Sequence, residues 1–324
     1  MTLYKGIQGF SVQNLSADPA DPNEGQLWYN STSNVWKLTS ATTAGAWATG
    51  NNLNTARRYL SGCGTQTAGL AFGGYSTANL GSTEEYDGTN WTSSNPLNTA
   101  RHALMGVGIQ TAGLGFGGFV TTVQSATEKY DGTSWTNSNP LNTARNNSGQ
   151  AGTQTAALGF GGEPTTGATE EYDGTSWVTS NPLISARAYL GGAGTQTAAL
   201  GFGGNSPPPF TAATEEYNGT SWATSPGSLN TARSELTGAG IQTAALAFGG
   251  SDTGVTGATE EYDGTSWASS PASMSTARRQ LSGTGTTSAA LGFGGALIPV
   301  GTGLANSEEW IGAGVALTQT ITVS

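Results

Sequence analysis

The feature that most restricts how this chain can fold is its internal repetition. Six arginines stand in the frame Ala-Arg, at Arg57, Arg101, Arg145, Arg187, Arg233 and Arg278, spaced 42 to 46 residues apart. After each comes a Gly-Gly pair, from Gly73-Gly74 to Gly294-Gly295, and then an acidic–aromatic element such as Glu85-Tyr86 or Glu261-Tyr262. Tryptophans follow in five units, at Trp91, Trp135, Trp177, Trp222 and Trp267. No tryptophan follows Trp310, but Trp47 precedes Arg57 by the same ten residues that separate Trp91 from Arg101. The array therefore begins and ends partway through a unit.

A period of this length marks supersecondary units that cannot bury their own faces and must stack on neighbours. Each unit reads as four short strands. The first follows the arginine, and the second is an apolar run of small residues, such as Thr111 to Phe116, ending at Gly-Gly. The third carries the acidic–aromatic pair and the fourth the tryptophan. Asp-Gly, or Asn218-Gly219 once, stands between the last two, a tight-hairpin signal because Gly reaches positive φ cheaply. No apolar stripe of helical period survives the Gly, Thr and Ser content. Six such units predict an all-β, six-bladed β-propeller of four-stranded blades. The strand around Trp47 would complete the blade formed by residues 279–310 and close the ring, with Val315 to Val323 as the alternative donor.

Composition narrows the function classes. Charged residues make up 10% of the chain, against roughly 25% in ordinary domains. Nine Trp, ten Tyr and nine Phe argue for a packed core rather than disorder. A net charge of −10 makes nucleic acid a poor partner, since that affinity comes largely from Lys and Arg on phosphates. No apolar run of about 18 residues spans a membrane, and the stretch from Met1 to Pro19 does not read as a cleaved secretion signal. Cys63 is the single cysteine, which excludes intrachain disulfides and cysteine-cluster zinc sites.

Arg, Gly-Gly, Glu-Tyr-Asp and Trp in this order resemble the kelch repeat over residues 47–310. The small residues before Gly-Gly depart from the larger aliphatics usual there, as does Trp310 in the Tyr position without a following Asp-Gly. Residues 1–45 read separately: Leu27-Trp28-Tyr29 and Val35-Trp36-Lys37 flank Asn30-Ser31-Thr32-Ser33-Asn34 as a small β-hairpin. This stretch resembles a hairpin module near the N-termini of bacteriophage tail-fibre and virion appendage proteins. Together the resemblances imply an attachment segment, 1–45, and a kelch-like propeller, 46–324. The implied role is a phage virion structural protein, assembled in the host cytoplasm, that meets other virion proteins through residues 1–45 and a host-surface glycan or protein through the propeller. Homo-oligomerisation fits this role. A purely architectural capsid or tail decoration is the alternative, and a glycan-cleaving enzyme ranks below both.

Residues repeated in every blade answer a need of every blade. The six arginines are expected to brace strands through Arg–Glu pairs or backbone contacts, and the glutamates Glu85, Glu171, Glu216 and Glu261 to be partnered or solvated. Calcium capture by the repeated acids ranks below that reading. Trp47, Trp91, Trp135, Trp177, Trp222 and Trp267 are expected to pack between blades. Gly-Gly precedes no Gly-Lys-Ser/Thr, so it cradles no phosphate and instead ends the second strand. No enzyme, metal or cofactor is expected: His102 is the one histidine, too few for a copper-radical oxidase, and Asp131 to Trp135 is one residue short of a sialidase Asp box. Paired carboxylates for glycoside hydrolysis remain open at this stage.

Binding determinants are expected where the repeat varies, in the loops after Gly-Gly. Tyr75, Phe119, Glu163, Asn205, Phe210 and Asp252 are the rim candidates, with the run Pro207-Pro208-Pro209 and Leu297-Ile298-Pro299 beside them. The residue after each arginine varies too, and Arg58, His102, Asn146 and Arg279 are predicted to line the central channel.

Overall fold

A computed structural model describes residues 13–19, 26–41, 44–206, 210–298, 302–313 and 316–321. By contacts the chain divides into two units, Ala46–Ile311 and Met1–Gly45 with Gly312–Ser324. The larger unit contains six four-stranded antiparallel sheets, and no helix occurs among the described residues. The first blade runs Ser61–Gly64, Gly69–Phe72, Thr83–Tyr86 and Trp91–Ser94 from inside to outside. The innermost strands neighbour one another in turn, and the last, Ser282–Gly285, lies against the first, Ser61–Gly64. The ring is a closed six-bladed β-propeller.

Closure uses the strand expected from Trp47. Ala46–Gly50 pairs with Ser307–Ile311, with Trp310 opposite Trp47. The C-terminal strand Ala316–Ile321 pairs instead with Val35–Ala41, and so groups with the small unit rather than with a domain 46–324. The reason is edge availability: Ala46–Gly50 already covers the free edge of Ser307–Ile311, and an unpaired edge elsewhere takes the remaining strand.

The taper toward the axis explains the glycine content. Second strands such as Gly69–Phe72 are buried on both faces, and each ends in a phenylalanine that reaches across to the next blade. A Cβ on Gly62 would fall 2.4 Å from the ring of Phe293 in the preceding blade, so the inner strand must be stripped of side chain there. The same phenylalanine packs on the next blade's tryptophan, giving six Phe–Trp pairs with ring centroids 4.7 to 5.1 Å apart, Phe248–Trp47 among them. Such pairs add about 0.5–1.5 kcal/mol each beyond the area they bury. Each indole N–H also donates to a Thr or Ser hydroxyl of the preceding blade, from Trp135 to Thr83 (2.9 Å) round to Trp47 to Thr259 (2.8 Å). The tryptophans are therefore the seams between blades, as expected.

In the small unit, Leu27–Asn30 and Val35–Ala41 form the expected hairpin, flanked by Gln13–Leu15 in parallel and Ala316–Ile321 antiparallel. Asp18 gathers this turn: its carboxylate accepts from Trp28 and Asn30 and pairs with Lys37 at 3.1 Å.

Candidate functional site

Every blade turns at the same end of the ring, the upper rim, on an ion pair that the repeat encodes. Arg57, wholly buried, reaches Glu84 at 2.9 Å, and Arg278 reaches Glu308 at 2.8 Å; Arg101, Arg145, Arg187 and Arg233 repeat the pairing with Glu128, Glu170, Glu215 and Glu260. The Glu84 carboxylate also accepts the backbone N–H groups of Asn54 and Thr55, while the Arg57 guanidinium donates to the carbonyls of Gly73 and Ser82. Each pair thus ties the incoming loop to the Gly-Gly turn. Desolvation pulls the Arg57 guanidinium down to about 10, so it stays charged at neutral pH.

The second glutamate of each unit has a different duty. Glu85, Glu171 and Glu216 accept the hydroxyls of Tyr130, Tyr217 and Tyr262 from the next blade, as Glu309 does that of Tyr86. Glu261 has no such partner because Trp310 occupies the tyrosine position, and burial raises its carboxyl above the usual range.

Above the ion pairs, the residue two places after each arginine adopts a left-handed backbone: Tyr59, Ala103, Asn147, Tyr189, Glu235 and Gln280, with φ between 50 and 58°. Each donates its N–H to the carbonyl of its counterpart in the preceding blade, at 2.8 to 3.0 Å, and Tyr59 donates to Gln280. Six backbone hydrogen bonds thus form an unbroken circle round the axis. A left-handed non-glycine residue costs of order 1–3 kcal/mol and persists only where its surroundings enforce it. Here the circle itself is the enforcing contact. Below it lies a cavity of about 80 Å³ lined by residues of all six blades. On the circle, Glu235 accepts from Gln280 (2.7 Å), Arg279 (2.8 Å) and Tyr59 (3.3 Å). Burial, with Glu235 beside it, raises the Tyr59 phenol well above its usual value.

Arg58, His102, Asn146 and Arg279 are not among the residues lining this cavity. Each is bridged to the residue after Gly-Gly, Arg58 to Tyr75, His102 to Phe119, Asn146 to Glu163 and Arg279 to Ala296. The left-handed residue that follows each of them lines the cavity instead. Tyr59, Asn147, Tyr189, Glu235 and Gln280 were missed by sequence reasoning. Their variability two places after each arginine was visible, but only Asn among them belongs to a residue type that favours positive φ.

The bridges gather several rim candidates. An open hollow of about 410 Å³ is lined by Tyr59, His102, Phe119, Asn146, Asn147, Glu163 and Tyr189, together with Ala103, Val123 and Pro164. His102 sits at the centre of an aromatic cluster, with ring centroids 5.3 Å from Tyr75, 5.4 Å from Phe119 and 5.7 Å from Tyr59. Its Nδ1 lies 2.7 Å from Asn79 Oδ1, and burial, with Arg58 nearby, holds the imidazole below its usual value. Asn205 and Phe210 bridge each other, and Asp252 folds back on Gly254; neither group reaches the hollow. Leu297 and Ile298 are exposed, while Pro207, Pro208, Pro209 and Pro299 lie outside the described residues.

Among the described residues no cluster of His, Cys, Asp and Glu could hold a metal ion, and no helix is long and apolar enough to cross a membrane. No known family model matches the chain, and no curated protein matches it.

Proposed function

We propose that the chain is a structural protein of a phage particle, a kelch-type propeller carried on an attachment unit, whose upper rim binds a host-surface glycan or protein. One observation carries this reading. The scaffold repeats its ion pair and its Phe–Trp seam in all six blades, yet the six bridged rim positions are Tyr75, Phe119, Glu163, Asn205, Ser251 and Ala296, no two alike. Structural duty repeats; recognition differs from place to place. Phe119 and Glu163, from the second and third blades, line one hollow, and Tyr75 packs on His102 in its wall, the usual form of a binding site on a rigid frame.

The proposed division of labour leaves attachment to residues 1–45 and the strand they pair with. The test is particle assembly and adsorption. Removing 1–45 and 312–324 is expected to abolish incorporation into particles, and replacing Phe119 and Tyr189 by Ala is expected to leave incorporation intact while adsorption to host cells falls at least ten-fold. Unchanged adsorption combined with fragile particles would favour the purely architectural reading.

A further inference from the structure

We propose that the upper-rim hollow takes an amino sugar, its ammonium group paired with Glu163 and its hydroxyls served by His102, Asn146 and Asn147. This rests on the reading of the rim as a binding surface and names what that surface accepts.

The starting point is a carboxylate without a partner. Among the described residues, every other acidic side chain but Glu261 is engaged: by an arginine or lysine, by a tyrosine hydroxyl, or by the backbone N–H groups of its own turn. Glu261 belongs to the seam where Trp310 replaces the tyrosine. Glu163 instead lines the open hollow, half-buried, with no cation and no hydrogen-bond donor on its carboxylate. Its backbone exchanges two hydrogen bonds with Asn146, at 3.1 and 2.8 Å, so the side chain stands on a fixed frame. At the equivalent position the other blades carry Tyr75, Phe119, Asn205, Ser251 and Ala296, none of them charged. With His102 neutral, Glu163 is the one formal charge among the residues lining the hollow. A half-buried carboxylate has given up part of its hydration, and a cationic ligand supplies the missing counter-charge.

The other polar groups of the wall are specific about what they take. Asn79 donates its Nδ2 to the Val120 carbonyl (3.1 Å), which turns its Oδ1 to His102 Nδ1 at 2.7 Å. Nδ1 therefore carries the imidazole proton and Nε2 is left as an acceptor. Asn147 donates its Nδ2 to Asn146 Oδ1 (3.0 Å), which leaves Asn147 Oδ1 as a second acceptor and Asn146 Nδ2 as a donor. Beside these stand the flat faces of Tyr59, Phe119 and Tyr189. Charge runs across the site: after burial, Arg58 acts on His102 at one end, while Glu163 acts on the Tyr189 phenol at the other. An ammonium group thus fits at the Glu163 end, where the Tyr189 ring adds a face for it. A lysine side chain would leave the amides and the imidazole unserved, and a quaternary ammonium has no proton to donate to the carboxylate. A pyranose bearing an ammonium group answers every part of the wall, with C–H faces for the rings and hydroxyls that donate and accept.

The full-length chain, its Glu163→Gln and Phe119→Ala variants, and a tetralysine peptide supply the test. Binding is read on an array of hexosamine oligosaccharides, each beside the counterparts with N-acetyl and with plain hydroxyl in place of the amine, and thermal unfolding checks that both variants are folded. The expected result is retention of the amine-bearing glycans, with both counterparts weaker by about ten-fold or more, the worth of one hydrogen bond to a charged group. Glu163→Gln should erase that difference, and Phe119→Ala should weaken all three members of a set. The substitution removes one of 21 acidic residues, so attraction by overall charge would survive it. A preference for the amine that persists in Glu163→Gln overturns the inference, and so does equal retention of all three members, which leaves a glycan-binding rim in place. Binding of tetralysine alone, lost in Glu163→Gln, overturns the sugar in favour of a peptide. Retention of no probe overturns the inference, and the reading beneath it falls only if replacing Phe119 and Tyr189 also leaves adsorption unchanged.

Discussion

Replacing Arg57 by Met in the full chain tests whether the repeated ion pairs hold the blades. Glu84 is 1% exposed and Arg57 not at all, so the variant leaves a carboxylate inside without its counter-charge. Removing one partner of a buried pair costs about 3–5 kcal/mol. Two features set the place within that range. Glu84 keeps the N–H groups of Asn54 and Thr55, which argues for the lower end, while the Gly73 carbonyl loses the guanidinium donor and the Ser82 carbonyl is left with the Gly73 N–H alone, at about 1 kcal/mol for a lost hydrogen bond. We expect a loss of about 4 kcal/mol. Adding Glu84→Gln removes the stranded charge and keeps an acceptor for one of the two N–H groups. The double variant should therefore be more stable than the sum of the two single variants by about 2 kcal/mol. Urea unfolding followed by tryptophan fluorescence measures all three, because the seam indoles change environment as the ring opens. A cost below about 1 kcal/mol for Arg57→Met, or strict additivity in the double variant, would refute the reasoning.

Four further outcomes follow from the same geometry. Glu261→Gln should raise the urea midpoint at neutral pH: a carboxyl whose folded pKa lies above its unfolded value stabilises only below about pH 4.5 and loses that contribution as pH rises through the folded value. His102 titrates below 6.5 in the folded ring, so stability should fall as pH drops from 6.5 through its folded value, and His102→Asn should flatten that segment of the pH profile. Ala103→Val places a β-branched residue at φ 53° and should cost about 1–3 kcal/mol, read as a lowered melting temperature. The fragment 46–311 should unfold cooperatively, whereas 51–311, lacking the strand opposite Ser307–Ile311, should show early loss of hydrogen-exchange protection in the last blade.

Much of this molecule was legible in the sequence. Blade number, strand order and the seam role of the tryptophans come from chemistry repeated at a fixed spacing, because each blade has the same faces to bury and the same turn to make. Even the closing strand was marked, since Trp47 stands where a sixth tryptophan is missing. The division of labour between the paired glutamates was not, because neighbours in a strand point to opposite faces and only the assembled ring says what each face meets. Nor was the circle of left-handed residues: Tyr, Ala and Gln carry no signal for positive φ, and the conformation exists because six inner strands converge and supply each N–H with a carbonyl. The hollow belongs to the same class. Tyr59, His102, Asn146 and Tyr189 lie on four successive blades and are brought together by the curvature of the ring, a quantity set by the packing of all six units at once.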